Sequence, residues 1–181
     1  MKNDILEKQI ARARAGDGTA AQWLVEVLWI DICTFARRLG ASAVDAEDVA
    51  QESILKVIRS LGMYNSGTSF RNWALKIAAN CVLDGRRSAG LRKEVPVDEH
   101  GGQLLARATT ADELEIEELQ EAIGKATLTL PTLERAIFVM RVHRDLTYEE
   151  IAEIVGKPAP TVRWYLHKAR AKMLKQLDAY L

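Results

Sequence analysis

The chain has 181 residues, 48% of them hydrophobic, with 25 basic and 25 acidic side chains, which is enough for one core or two small ones. Its longest apolar stretch, Leu24 to Ala36, is interrupted by Glu26 and Asp31, and its polar start, Met1-Lys-Asn-Asp4, is no signal peptide, so the expectation is an intracellular protein without membrane insertion. Two cysteines inside helical patterns (Cys33, Cys81), three scattered histidines (His100, His143, His167) and the absence of any Walker-type or dinucleotide glycine loop exclude the usual metal, cofactor and nucleophile signatures, leaving no catalytic residue, metal or cofactor to expect.

The neutral total conceals a partition. Residues 1–90 hold 12 basic and 10 acidic groups, residues 91–121 hold 3 and 9, and residues 122–181 hold 10 and 6. Screening limits each charge to about 8–10 Å at physiological salt, so a nucleic-acid binder needs local positive potential, not a basic average.

Four helices are predicted in the first half. Asn3 caps the first, which carries Leu6, Ile10 and Ala13 on one face and stops near Gly16-Asp-Gly18. The second runs from about Thr19 to Leu39. The third opens at Asp45, with Asp48 in its first turn, and buries Ala46, Val49, Ala50, Ser53, Ile54, Val57 and Leu61 before Gly62. The fourth starts at Ser69 and aligns Phe70, Trp73, Ala74, Ile77, Ala78 and Cys81 on one stripe. Its other side and end present Arg71, Lys76, Asn80, Asp84, Arg86 and Arg87, suited to phosphates and base edges and equally to a solvated face.

Residues 88 to about 111, with Gly90, Pro96, Gly101-Gly102 and Thr109-Thr110, read as a linker. The expected organisation is therefore a domain over residues 1–90, an acidic flexible linker over 91–111 and a domain over 112–181. In the last, Ile116, Leu119, Ile123 and Ala126 mark one helix, and Leu133, Ala136, Ile137 and Met140 a second.

The final quarter has the outline of a helix-turn-helix. Thr147-Tyr-Glu-Glu150 is a capping box, Tyr148, Ile151, Ala152 and Val155 follow helical spacing, and Gly156 suits a left-handed helix end. Pro158 and Pro160 are expected to keep the connector from continuing that helix, and a second helix from Thr161 to Leu177 resumes the spacing with Val162, Leu166, Ala169 and Met173 packing inward. Trp164, His167, Lys168, Ala171 and Lys175 then face outward, flanked by Arg163 and Arg170. From Pro160 to Leu181 the basic residues Arg163, Lys168, Arg170, Lys172 and Lys175 stand against the single acid Asp178, whereas a merely solvated helix usually alternates sign. No alternating strand pattern competes, so the fold class is all-α, with two small helical domains.

In order along the chain, Asp45-Ala-Glu-Asp-Val-Ala-Gln-Glu52, Ser69-Phe-Arg-Asn-Trp73, Ile77-Ala-Ala-Asn80, Asp84-Gly-Arg-Arg87, Leu130-Pro131, Tyr148-Glu-Glu-Ile-Ala152, Thr161-Val-Arg163 and Leu166-His-Lys-Ala-Arg170 form a series that resembles bacterial RNA polymerase sigma factors of the extracytoplasmic-function type. The resemblance covers nearly the whole chain. It implies a four-helix promoter-melting domain, sigma region 2, followed by a region 4 helix-turn-helix domain. It also implies a non-catalytic promoter-specificity subunit that works in the cytoplasm with core RNA polymerase, promoter DNA and an anti-sigma factor.

Residue by residue, the resemblance assigns core-polymerase binding to Asp45, Asp48, Gln51, Glu52 and Leu55, which share the face opposite the buried stripe of their helix. A dipole-favoured acidic helix start would account for Asp45 and Asp48 but not for an apolar Leu55. The loop Gly62 to Thr68 and the helix after it match the part that captures a flipped −10 base. There Tyr64 would either stack on the base or pack on its own loop, Asn65, Asn80 and Asp84 would supply hydrogen bonds, and Arg71, Lys76, Arg86 and Arg87 would hold phosphates. The −35 element falls to Pro160, Thr161, Arg163, Trp164, His167, Lys168 and Arg170. Many relatives carry a small residue and then arginine where this chain has Trp164-Tyr165, so Trp164 is left either to touch a thymine methyl or to fold back. The alternatives are a stand-alone helix-turn-helix regulator, for which no dimer seam is visible, and a sigma mimic that titrates an anti-sigma factor.

Overall fold

A computed structural model of the chain describes residues 2–66, 68–89 and 111–178, with the backbone alone at residues 2–3, 86–89 and 111–117. Among the described residues there are eight α-helices, one 3₁₀ turn and no strand, in two compact units, as expected of an all-α chain. The segment expected to be a linker, 91–111, lies outside the described residues except for Ala111.

The first unit contains α1 (Lys2–Arg14), α2 (Gly18–Arg38) as far as Ala36, α3 (Ala43–Arg59), a 3₁₀ turn (Leu61–Met63) and α4 (Phe70–Ala89), while Arg37–Ser42 group with the second unit. Because α1 already begins at Lys2, Asn3 lies inside the helix and is not its cap. Gly16 ends α1 at φ +90, a conformation that only glycine adopts without steric cost. Asp17 then starts α2: its carboxylate accepts from the amides of Thr19 (2.9 Å) and Ala20 (3.2 Å) and pairs with Arg12 at 2.6 Å. The Ala20 amide, and after it Arg12, hold the Asp17 carboxyl below its ordinary value.

Ala20, Leu24, Leu28, Ile32, Phe35 and Ala36 form the buried stripe of α2. Length and mean hydropathy alone would let α2 cross a membrane, but the apolar content that gives this result closes the core of the unit. In α3 the expected stripe is buried at Ala46, Ala50, Ser53, Ile54 and Val57, with Val49 half-buried, and Leu61 is buried in the 3₁₀ turn. α3 packs on α4, whose buried residues include the small Ala74, Ala78 and Ala79. The buried face of α4 is broader than the single predicted stripe: Leu75, Ala79 and Val82 are inside, while Trp73 and Ile77 are half-buried.

The second unit contains α5 (Ala111–Thr129), α6 (Thr132–Arg144), α7 (Tyr148–Val155) and α8 (Ala159–Leu177), with α8 packed against the other three. Leu119, expected inside, is exposed, because among the described side chains of α5 burial sets in only from Ala122 onward. Ile116 lies outside the described side chains. The end of α5 is closed by Arg135, whose guanidinium donates to the carbonyls of Leu128 and Leu130, satisfying acceptors that a helix end leaves open.

Candidate nucleic-acid interface

The helix-turn-helix forms as its sequence dictates. Thr147 Oγ1 accepts from the Glu150 amide at 3.2 Å while Glu150 Oε2 accepts from the Thr147 amide at 2.8 Å, so both arms of the capping box are made. Gly156 closes α7 at φ +65. One expectation is corrected here. The second helix starts before Thr161: α8 begins at Ala159, and Pro160 occupies its first turn, where a missing N–H leaves no helical bond unmade.

Val162, Leu166, Ala169 and Met173 anchor α8 to the core, as the periodicity predicts. Pro160, Arg163, Trp164, His167, Lys168 and Arg170 are exposed and Thr161 is half-buried, so one side of the helix start offers all seven expected residues to solvent. Their charges, however, are not all free. The Arg163 guanidinium lies 4.9 Å from the centroid of the Tyr148 ring. Lys168 reaches the buried Glu134 of α6 at 3.3 Å, Lys172 reaches the same carboxylate at 2.7 Å, and the Lys168 ammonium also lies 5.0 Å from the Trp164 ring centroid. Part of the positive count on α8 is therefore compensated by an acid of another helix, which charge counting along α8 does not reveal.

On α3, Asp45, Asp48, Gln51, Glu52 and Leu55 are all exposed, Leu55 to 56%. Val44 is 70% exposed and, eleven residues before Leu55, lies close to the same line on the helix. Sequence reading missed it because the helix begins at Ala43, two residues ahead of the predicted start. Glu52 pairs with Lys56 at 2.7 Å.

The loop before α4 departs most from expectation. Tyr64 is buried, and its hydroxyl lies 2.6 Å from the Thr68 carbonyl and 3.2 Å from Glu7 Oε1. Its ring meets Phe70 at 5.2 Å and Trp73 at 5.4 Å, and Arg14 donates to the carbonyls of Leu61 (2.9 Å) and Tyr64. Tyr64 thus packs on its own loop in this structure and presents no free face for a base. Desolvation, then Glu7, raises its phenol above the ordinary value. What the loop does offer is a groove lined by Leu6, Val27 and Phe70 with Ser66, Thr68, Ser69 and Arg71.

Asn65 and Asn80 are exposed, Asp84 is exposed and Lys76 half-buried, with Lys76, Asn80 and Asp84 one helical turn apart. Arg71 is not on that line. It stands about half a turn round α4 from Asn80 and pairs with Asp31 of α2. The side chains of Arg86 and Arg87 lie outside the described residues.

Residues 24–92 match the family described as Sigma-70 region 2, and residues 120–173 match Sigma-70, region 4. Among curated relatives, the chain is 30% identical to the ECF RNA polymerase sigma factor SigD of Mycobacterium tuberculosis over 99% of this chain and 87% of that one. It is 30% identical to the ECF RNA polymerase sigma-E factor of Salmonella typhimurium, covering 89% and 88%, and 25% identical to SigW of Bacillus subtilis, covering 96% and 97%. The fold is similar to that of the sigma factor RpoE solved in complex with the anti-sigma factor NepR from Bartonella quintana, with a TM-score of 0.63, 18% identity and coverage of 87% and 96%. It is also similar to CnrH solved with the cytosolic domain of CnrY, with a TM-score of 0.59, 24% identity and coverage of 94% and 96%. With both regions in order and relatives matched along almost their full length, the chain belongs to the extracytoplasmic-function family of RNA polymerase sigma factors.

Proposed function

We propose that this sigma factor docks on core RNA polymerase through the α3 face formed by Asp45, Asp48, Gln51, Glu52 and Leu55, extended by Val44. In the cytoplasm it reads the −35 duplex with the start of α8 and holds −10 DNA open with the loop before α4, and it catalyses no reaction itself. The observation that carries this reading is the helix-turn-helix whose α8 leaves Pro160, Arg163, Trp164, His167, Lys168 and Arg170 exposed on one side while Val162, Leu166 and Ala169 anchor the other. In the first unit, the groove beside Ser66, Thr68 and Arg71 takes over the base-holding role expected of Tyr64. Its apolar floor suits a base face, and its hydroxyls and guanidinium suit polar edges. Asn80, Lys76 and Asp84 follow the strand, with Arg86 and Arg87 completing the phosphate contacts. Domains spanning 1–90 and 112–181 act through the acidic linker between them.

Two proteins of similar fold are solved in complex with NepR, an anti-sigma factor, and with the cytosolic domain of CnrY. By analogy, an anti-sigma protein occludes the docking or DNA surfaces of this chain until released. Abortive transcription with purified core enzyme tests the main reading, since it predicts short promoter-dependent transcripts only when the chain is present. Binding to an operator without polymerase would favour a stand-alone regulator, and capture of an anti-sigma protein without initiation would favour a mimic.

A further inference from the structure

Glu134 is 3% exposed on α6, outside the helix-turn-helix, yet its carboxylate receives both Lys168 and Lys172 of α8. A carboxylate is kept in such a place only with cationic partners, and here the partners come from the DNA-reading helix. Lys168 is in turn 5.0 Å from the Trp164 ring centroid, so the ammonium lies between a fixed acid and an exposed indole. Tyr165 meets the same indole edge-on at 4.9 Å. Trp164 is 56% exposed and stands about 200° round the helix from the buried Val162. It therefore projects away from the core, held by Lys168 and by Tyr165.

We propose that Glu134 is a positioning residue for base recognition: by fixing Lys168 beside Trp164 it sets the indole to contact a thymine C5-methyl group in the −35 major groove. The chemistry fits, because the methyl is the one apolar feature that a base pair shows there, and an indole is an apolar surface that cannot reproduce the paired hydrogen bonds of Arg or Asn. It also withdraws Lys168 and Lys172 from phosphate contact, making the helix less dependent on non-specific charge than its sequence suggests. This rests on the −35 assignment made above and deepens it.

The test uses full-length chain reconstituted with core polymerase, and a −35 duplex selected by that holoenzyme from random sequence. Each thymine of the duplex is replaced in turn by deoxyuridine, which lacks only the methyl. One replacement should weaken wild-type binding about fourfold, equivalent to about 0.8 kcal/mol for one buried methyl group. The same replacement should be silent in Trp164→Ala, less than twofold in Glu134→Gln and Lys168→Met, and restored in Glu134→Asp. Glu134→Gln should also steepen the slope of log K against log salt by about 1, as a released lysine turns to phosphate. Lys168→Met, at an exposed position, carries the test if Glu134→Gln loses its melting transition. Silent deoxyuridine at every position in the wild type overturns the inference, as does full methyl preference retained in both Glu134→Gln and Lys168→Met. Failure to select any −35 sequence overturns instead the −35 assignment itself, and this inference with it.

Discussion

The Arg163 guanidinium lies 4.9 Å from the Tyr148 ring centroid, across the turn that joins α7 to α8, and Arg141 lies 5.4 Å from the same centroid. Stacking orders a side chain that would otherwise lose its rotamer freedom on binding, so the guanidinium meets DNA with part of that entropy already given up. Arg163→Ala should weaken holoenzyme binding to the −35 duplex by about 1–3 kcal/mol, the range of a bidentate base contact. Tyr148→Leu should weaken it by about 0.5–1 kcal/mol while leaving the arginine in place. Titrations against matched and scrambled duplexes check both, and an equal loss on the two DNAs would assign Arg163 to a phosphate.

The buried Tyr64 makes a different prediction from an exposed one. Tyr64→Phe deprives the Thr68 carbonyl of its 2.6 Å donor, so thermal unfolding should show a loss of about 1–3 kcal/mol. Tyr64→Ala empties the space among Phe70 and Trp73 and should cost about 3–5 kcal/mol. Promoter opening, followed by permanganate reactivity of unpaired thymines, should fall with both variants because Thr68, which lines the groove, loses the hydroxyl that holds its carbonyl. A stacking role would instead leave Tyr64→Phe indistinguishable from wild type in both assays.

The helices and their inward faces were legible because burial imposes periodicity, as at Val162, Leu166, Ala169 and Met173, and because caps are local, as at Thr147 and Gly156. What the sequence hid depends on partners remote along the chain. Tyr64 looks like a free loop aromatic until Glu7 and Arg14, more than forty positions away, are seen against it. Lys168 looks like a free −35 contact until Glu134 is found beneath it, and Arg71 like a phosphate contact until Asp31 is found beside it. No periodicity encodes these pairings, because each joins two elements whose relative placement is fixed only by packing. Val44 is hidden for a local reason: an acidic residue such as Asp45 marks a helix start only to within a turn, and α3 extends two residues earlier.

Ser53 is fully buried between the helices of the first unit, and its hydroxyl has no hydrogen-bond partner among the described residues. An unsatisfied buried hydroxyl opposes folding, and an alanine fits the same space without the desolvation penalty. Ser53→Ala should therefore raise stability by about 1 kcal/mol, read as a higher urea midpoint at unchanged slope. A lower midpoint would show that the hydroxyl is satisfied in solution.

Leu55 and Val44 are apolar side chains left in water on a helix whose inner face is already well packed, so neither is needed to hold the first unit together. Replacement at such sites usually changes stability by less than about 0.5 kcal/mol. If the face is the polymerase contact, Leu55→Asp puts a charge at its apolar centre. Co-elution with core enzyme should then be lost, a penalty of at least about 2 kcal/mol, typical of a central anchor. Val44→Asp, about 16 Å along the helix by its rise, should weaken binding less. Glu52→Gln alters only an exposed pair with Lys56, so it should change the salt dependence of association more than its strength. The ordering Leu55, Val44, Glu52 follows from centre to rim, and equal losses at the three positions would show that the polymerase does not grip this helix by that face.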